Sequence, residues 1–501
     1  MDFPRSRTHS GFGMPLELDD HWKIKNANSS TIINTLEIQI PKHLNAKDIL
    51  FALLHAYKDA PYLGALWTAN ANLTDSDPSS PPVSEHFPEA YHTTDWIFGV
   101  GITCDDVDSE PYTQHRAFNF ESFELMHQAR PAFRMGYFAY DMKEQSMDQA
   151  SNLPPAIGDP NYAFWFRPSL LLIYKKNKIT IKIDLHQQYN QLQQIIINTS
   201  KEKKYKENSI DPQIHSTDLI SVTLGSIMHC TTEFEEYSQK IQEIRREIKK
   251  GNFYELNYCI EWNGKYKITS PVDLWKGMAE KSGAPFSAFI KNKEFYTLCN
   301  SPERFLRING NQMMSQPIKG TAPRSNDIVL DRQILEAMQN NPKDQAEHIM
   351  IVDLVRNDLT QCSEPLSVNV SELCIAYSFK TVHQLISTIK SQKDKEHSIA
   401  SILNACFPMG SMTGAPKGMV CKWIDRLEKK RRGVYSGSIG YVDENGNLDL
   451  NVIIRTLLYD DLNHQLSLST GGAITWDSDP QSEWEECQNK AKAILQTEVS
   501  A

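Results

Sequence analysis

Apolar positions recur along the chain with two periods, every second residue in some stretches and every third or fourth in others, and these mark strands and helices. In the first part, alternation predicts strands over Ile33–Ile40, Trp96–Ile102, Arg134–Tyr140 and Ser169–Tyr174. The last of these is expected to pair with Ile179–Leu185 through Lys175–Lys178. Ala46–Tyr57 has the spacing of a short amphipathic helix, and Asn70–Pro88, rich in Ser, Pro, Asp and Asn, reads as a long loop. Residues 1–30 are polar and expected to be loosely ordered. The charged stretch Asn198–Ser216 reads as a connection, dividing the chain into 1–197, a linker at 198–228, and 229–501.

The last part opens with a helix. Thr232 and Glu235 have capping-box spacing, Tyr237, Ile241, Ile244 and Ile248 form one face, and Lys249, Lys250 and Gly251 close it. A strand follows, with Tyr254, Leu256, Tyr258, Ile260 and Trp262 on one face and Glu255, Asn257 and Glu261 on the other. Further strands and helices alternate without a regular βαβ rhythm, which predicts mixed α/β or α+β layers.

Composition narrows the class. The 501 residues are 40% hydrophobic and 23% charged, ordinary for a globular chain. The net charge of −10, with basic runs no longer than the likes of Lys429–Arg432, argues against nucleic acid as a partner. The nine cysteines form no C-x-x-C pair and read as reduced thiols. Met1–Leu18 lacks an apolar signal core and no stretch has the length and apolarity of a membrane span, so a cytoplasmic protein is expected, with no membrane partner.

Candidate chemistry centres on Pro317-Ile318-Lys319-Gly320-Thr321-Ala322-Pro323-Arg324, read as a loop. Proline stiffens it, glycine allows close approach, and Lys319 carries an amine that burial can turn into a nucleophile. A plain surface loop with a solvated lysine fits the same residues. Two helices carry acid pairs at i, i+3: Asp344 and Glu347 after the Asn341-Pro342 cap, and Glu483 and Glu486 after Asp479-Pro480, with Lys490 on the latter face. Four carboxylates suit a hard cation such as Mg²⁺, and acids favoured by helix dipoles fit the spacing equally. Gly471-Gly472-Ala473, after a strand at Gln465–Ser469, and Gly410–Lys417 are small-residue loops whose N–H groups suit an anion, and neither is a P-loop. Arg455, placed in a strand Asn451–Leu457, suits a bidentate carboxylate contact, and His383 reads as a core histidine. Together these groups ask for a small polyanion, and a dicarboxylate fits better than a nucleotide.

From about Glu233 to Ile494 the sequence closely resembles the chorismate-utilising enzymes: component I of anthranilate and aminodeoxychorismate synthases, and the isochorismate and salicylate synthases. The resemblance is carried by Ser301-Pro302-Glu303-Arg304-Phe305, by Glu347–Leu359, by Phe407-Pro408 through Lys417, and by Arg432–Gly437, Ile454-Arg455-Thr456 and Asn489-Lys490-Ala491. It implies an α+β fold of two packed antiparallel sheets flanked by helices, with 1–197 completing the sandwich, 198–228 linking, and 229–501 forming the catalytic part. It further implies Glu347 and Glu486 as Mg²⁺-anchoring acids with Asp344 and Glu483 as partners. Arg455, Tyr435, Lys490 and the backbone at Gly471 would bind carboxylates, His383 would lie beside the leaving C4 hydroxyl, and Thr321 would line the site. Lysine in the Pro-Ile-x-Gly-Thr motif is typical of aminodeoxychorismate synthase, so Lys319 is implied as the nucleophile at C2 of chorismate, with ammonia then adding at C4. That reaction feeds 4-aminobenzoate and folate synthesis. Glu255 stands where water-adding members carry a lysine base and other members a glutamine; Ala322 and Ala473 also depart from the pattern. No Gly-x-Cys-x-Gly elbow is present, so ammonia is expected from a separate glutamine amidotransferase subunit. Two other readings stand beside this one: anthranilate synthase component I, and a non-catalytic subunit that activates a glutaminase. The Leu-Leu-Glu-Ser element of tryptophan-regulated relatives is not evident near Pro61–Gly64, so tryptophan inhibition is not expected.

Overall fold

Two antiparallel sheets carry the chain in a computed structural model that describes residues 34–39, 45–68, 96–101, 119–147, 150–157, 163–175, 178–183, 192, 195 and 222–499. The tail 1–30, the loop expected at 70–88 and the charged connection at 198–216 lie outside the described residues. Among the described residues one sheet has twelve strands and the other nine.

The sheets pack face to face because strand alternation gives each an apolar inner surface. Tyr62, Ile97, Leu171, Ala288, Ile290 and Leu458 of the larger sheet meet Met135, Tyr137, Phe164, Phe166, Ile439 and residues near Ile453 of the smaller. On its outer face the larger sheet presents Leu63, Ala65, Trp67, Phe289 and Leu298 to the helices Ala46–Ala56, Phe234–Lys249, Pro271–Ser282 and Pro480–Leu495. Helices Phe120–Ala129, Pro342–Thr360 and Ile399–Cys406 cover the smaller sheet. This is the expected α+β architecture, in four layers.

Residues before and after the connection share both sheets. Tyr62–Trp67 pairs with Phe286–Asn292, and Arg134–Phe138 pairs with Ser438–Val442. The predicted partner strands near 170–183 are Leu170–Lys175 and Lys178–Ile183, paired in register from Leu170↔Ile183 to Lys175↔Lys178. Residues 222–228, expected as the end of the linker, are structured: Val222–Thr223 pairs with Glu498–Val499 and a short helix follows at Leu224–Ile227.

The helix predicted after Thr232 spans Phe234–Lys249, with Tyr237, Ile241 and Ile244 buried. Its capping box does not form. The N-cap is Glu233, one residue later than the box requires, so Glu235 falls at the second helical position and cannot reach back to the cap. Among the described residues no helix is long and apolar enough to cross a membrane.

Candidate active site

The strand Glu255–Lys265 is the floor of the site. Its inward alternation puts Leu256, Tyr258, Ile260 and Trp262 into the core under the helices, and turns Glu255 and Asn257, both buried, to the other face. Tyr254, predicted to share the apolar face, lies just outside the strand and is 68% exposed.

Gly471, Gly472 and Ala473 are not a loop. They continue the strand Gln465–Ile474 and pair with Cys259, Tyr258 and Asn257. The approach is too close for a side chain at 471, where a Cβ would stand 2.7 Å from both Cys259 Sγ and the carbonyl of Tyr258. The Gly471 carbonyl accepts from Lys490 Nζ at 2.7 Å, and Lys490 also pairs with Glu486 on its own helix. The second small-residue segment forms one 3₁₀ turn at Gly410–Met412, a two-residue strand Gly414–Ala415 against Glu255–Leu256, and a helix from Lys417. Lys417 turns away to pair with Asp358 at 2.7 Å.

Pro317–Arg324 is likewise a strand, Ile318–Pro323, at one end of the smaller sheet's main run of strands. It pairs with Val382–Gln392, and its register slips between Lys319 and Thr321, where Gly320 takes φ +85°, a left-handed value that suits glycine. The bulge explains the loop-like sequence: Pro and Gly at an irregular edge strand mimic a turn. Lys319 points to the helix Pro342–Thr360, where its Nζ lies 3.0 Å from Glu347 Oε2. That helix starts as predicted, with Asn341 Oδ1 accepting from Lys343 N at 3.0 Å and Asp344 N at 3.4 Å. The helix Pro480–Leu495 is capped by Asp479 and brings Glu483 and Glu486 in from the other side.

The acids and Lys319 act on one another. Burial pushes the Lys319 ammonium down, but Glu255, Glu347 and Glu486 outweigh it and hold its pKa above the ordinary value. Asp344 is raised by burial and by the charge of Glu347. Burial also raises Glu483, against a hydrogen bond from Ser478 Oγ at 2.7 Å. For Glu486 burial is outweighed by Lys490, Lys319 and Arg455, so it stays low.

Arg455 lies in the junction between the strands Leu448–Asn451 and Thr456–Asp460, with φ +53°, rather than inside one continuous strand. Its guanidinium makes no hydrogen bond or ion pair with any described residue. Burial lowers its pKa, against the influence of Tyr435 and Glu486, so the cation is short of negative partners. Tyr435 is buried beside it, its hydroxyl accepting from Cys259 Sγ at 3.9 Å.

His383 and Thr321 sit differently from the acids and Lys319. His383 is fully buried, with Nε2 3.0 Å from Asp331 Oδ1 and Nδ1 2.9 Å from Ser378 Oγ. Arg324 clamps the same Asp331 through Nε and Nη2. Thr321 is exposed beyond the bulge, opposite Gln384.

Glu303 joins the cluster although no role was read for it from the sequence. It is buried, accepts from Ser411 Oγ at 2.8 Å, and burial raises its pKa to about 7 against the pull of Lys319 and Lys490. The signal was its place in Ser301–Phe305, within the motif but unremarkable as a lone acid. His348 was also missed. Its Nδ1 lies 3.4 Å from the Lys319 carbonyl, its Nε2 is buried without a partner, and burial holds its pKa down at about 4, leaving it neutral.

The donor set suits a hard cation: all oxygen, in excess over the cations present, with Asp344 and Glu483 raised partly by neighbouring acids. Among the described residues no three His, Cys, Asp or Glu side chains are gathered closely enough to hold a metal ion by themselves. A hard cation there would need further oxygens, from water or a ligand, to complete its shell.

Acids facing one lysine lie beside an arginine that has no hydrogen-bond or ion-pair partner among the described residues, an arrangement suited to a small carboxylated ligand. Residues 90–496 match the family described as chorismate binding enzyme, and the chain belongs to that family. It is 32% identical over 382 residues to a protein of Oryza sativa subsp. japonica named probable aminodeoxychorismate synthase, chloroplastic, covering 72% of this chain and 42% of that one. With aminodeoxychorismate synthase component 1 of Klebsiella aerogenes it shares 38% identity over 276 residues, 54% of this chain and 60% of the other. The chain thus spans about half the length of these relatives. Its fold matches the structure of MenF, the menaquinone-specific isochorismate synthase of Escherichia coli, with a TM-score of 0.64 at 17% identity, covering 95% and 96% of the two chains.

Proposed function

We propose that this chain aminates chorismate at C4 to give 4-amino-4-deoxychorismate. The observation that carries this reading is Lys319, an amine delivered by a bulged strand into a cluster of acids near Arg455, whose guanidinium has no hydrogen-bond or ion-pair partner among the described residues. In this reading Arg455, Tyr435 and Lys490 with the Gly471 backbone receive the substrate's carboxylates. The neutral amine of Lys319 attacks C2, the ring double bonds shift, and the C–O bond at C4 breaks. Glu303, with a pKa of about 7, gives its proton to the departing hydroxyl, which leaves as water. Ammonia then forms the C–N bond at C4 while the C2–Nζ bond breaks and restores the lysine, so one ammonia is consumed and one water released. His383, on the strand paired with the one that presents Lys319, and Thr321, two residues beyond Lys319 on that same strand, are assigned to the C4 side of the ring.

Mg²⁺ is the cation this donor set favours, held by Glu347 and Glu486 with Asp344 and Glu483. When bound it supplies positive charge for a substrate carboxylate and neutralises the acids that hold Lys319 protonated. Ammonia is assigned to a separate glutamine amidotransferase subunit, in keeping with the component 1 naming of the bacterial relative.

The test is direct. Purified protein incubated with chorismate, Mg²⁺ and ammonium is expected to yield 4-amino-4-deoxychorismate by mass spectrometry. Anthranilate with pyruvate release would overturn the reading in favour of anthranilate synthase, isochorismate in favour of water addition, and no turnover in favour of a non-catalytic subunit.

A further inference from the structure

We infer that His348 is a positioning residue for the reaction: its ring holds the main chain of Lys319, while Glu347, the residue before it in the helix Pro342–Thr360, holds the side chain. The inference deepens the amination reading and rests on it for the consequence of this grip, but the grip itself is measured without turnover.

His348 is fully buried, and its Nδ1 lies 3.4 Å from the carbonyl oxygen of Lys319. A carbonyl only accepts, so Nδ1 carries the proton and donates, and Nε2 is left as a bare acceptor. That atom is sequestered from solvent with no hydrogen-bond partner among the described residues. A buried polar atom left unpaired costs more than one long hydrogen bond gains, so an apolar ring of similar size would suit the core better. The imidazole is therefore unfavourable for packing, and its polar contact is with the residue that bears the amine.

The contact falls where the backbone is least determined. Among the described residues Ile318–Pro323 pairs with the strand Val382–Gln392 alone, so carbonyls on its other side depend on donors from elsewhere. The ladder reaches Lys319↔Leu385, slips, and resumes at Thr321↔Gln384, which leaves Gly320 out of register at φ +85°. Glycine takes either sign of φ readily, so it sets no preference for the plane of the Lys319–Gly320 peptide bond. That plane carries the Lys319 carbonyl, and the His348 N–H fixes it. Glu347 Oε2 stands 3.0 Å from Nζ, so consecutive residues of one helix grip Lys319 at both ends. Consecutive helical side chains point about 100° apart, and the two contacts therefore restrain different directions. For a nucleophile this matters, because a misplacement of about 1 Å can cost about 100-fold in rate.

The test uses the full chain and three variants. His348→Asn can place an amide nitrogen where Nδ1 stands, His348→Gln places one nearer the position of Nε2, and His348→Phe keeps a ring without a donor. In the ammonium-dependent assay the Phe and Gln variants are expected to lower kcat by about 10- to 100-fold and to move KM for chorismate by about threefold or less. The Asn variant should keep kcat within about threefold of wild type. Thermal unfolding of the Phe variant should be no lower than that of wild type, because the stranded acceptor is gone. A wild-type kcat in the Phe variant, equal losses in all three, or a loss carried by KM overturns the positioning role. So does an unfolding temperature that falls in step with kcat. Without chorismate, hydrogen exchange in the peptide spanning residues 318–323 should quicken by about tenfold in the Phe and Gln variants and not in Asn. If the Phe variant does not fold, the Asn and Gln pair decides alone. Exchange in this order in a protein that forms no aminated product leaves the grip standing and overturns the reaction. Aminated product with exchange unchanged in every variant overturns the grip and leaves the reaction standing.

Discussion

Lys319 Nζ and Glu347 Oε2 face each other at 3.0 Å, one from a bulged strand of the smaller sheet and the other from the helix that covers it. The contact favours the cationic form of Lys319, whose pKa is raised by Glu255, Glu347 and Glu486 against burial, so the proposed attack requires that pKa to fall first. Lys319→Ala is expected to reduce ammonium-dependent turnover by about 10³-fold. Chorismate bound to wild type and quenched in acid should leave a mass increment on the peptide containing Lys319. Full turnover in the alanine variant would remove the covalent step.

Glu303 is expected to matter nearly as much. Glu303→Gln keeps its size and its hydrogen bond from Ser411 but cannot give up a proton, and should lower kcat by about 10²–10⁴-fold with little effect on KM. Steady-state kinetics on chorismate separates the two constants. The wild-type kcat should also decline as pH rises through about 7, where the acid form is lost, and that limb should vanish in the variant.

Arg455 offers a guanidinium with no hydrogen-bond or ion-pair partner among the described residues, so its replacement is expected to weaken ligand binding without breaking a direct contact to them. Arg455→Lys replaces a planar fork by a point charge and is expected to cost about 1.5–3 kcal/mol of substrate binding, read as KM for chorismate. Thermal unfolding should be nearly unchanged.

Metal dependence is checked by dialysis against a chelator. Turnover is expected to disappear and to return with Mg²⁺. Glu486→Gln should raise the Mg²⁺ concentration needed for half-maximal activity by about tenfold or more.

Much of this site was legible in the sequence, for identifiable reasons. The two acid-bearing helices announced themselves through Asn341-Pro342 and Asp479-Pro480, because side-chain capping and proline at the first turn are local effects that tertiary packing does not override. Glu255 was placed correctly on the polar face because alternation is a geometric property of strands. The strands at Lys319 and Gly471 were read as loops because glycine and proline mark turns on average. Here they mark a bulge and a close backbone approach, both set by partners far away in sequence. The left-handed junction at Arg455 had no sequence signal at all, since arginine seldom adopts that conformation.

Asp141 carries a prediction away from the site. Burial raises its pKa to about 7 from 3.8, against Lys143 and Arg431, and its Oδ2 accepts from Gly433 N at 3.1 Å. A carboxyl raised in the folded state binds protons more tightly there, so its contribution to stability is full below about pH 4 and lost as pH rises through about 7. Asp141→Asn should flatten this loss, with thermal unfolding at pH 5 and pH 8 more alike than in wild type.

The pairing of Tyr62–Trp67 with Phe286–Asn292, and of Arg134–Phe138 with Ser438–Val442, has a practical consequence for dissecting the protein. A fragment beginning at residue 222 would leave both C-terminal strands with a raw edge, each offering unpaired N–H and C=O groups and an apolar face to any passing strand. Such a fragment should come out of expression as aggregate, and soluble material should return only when the N-terminal strands are supplied. The residues that bear the chemistry thus depend for their solubility on a stretch of chain that contributes none of them.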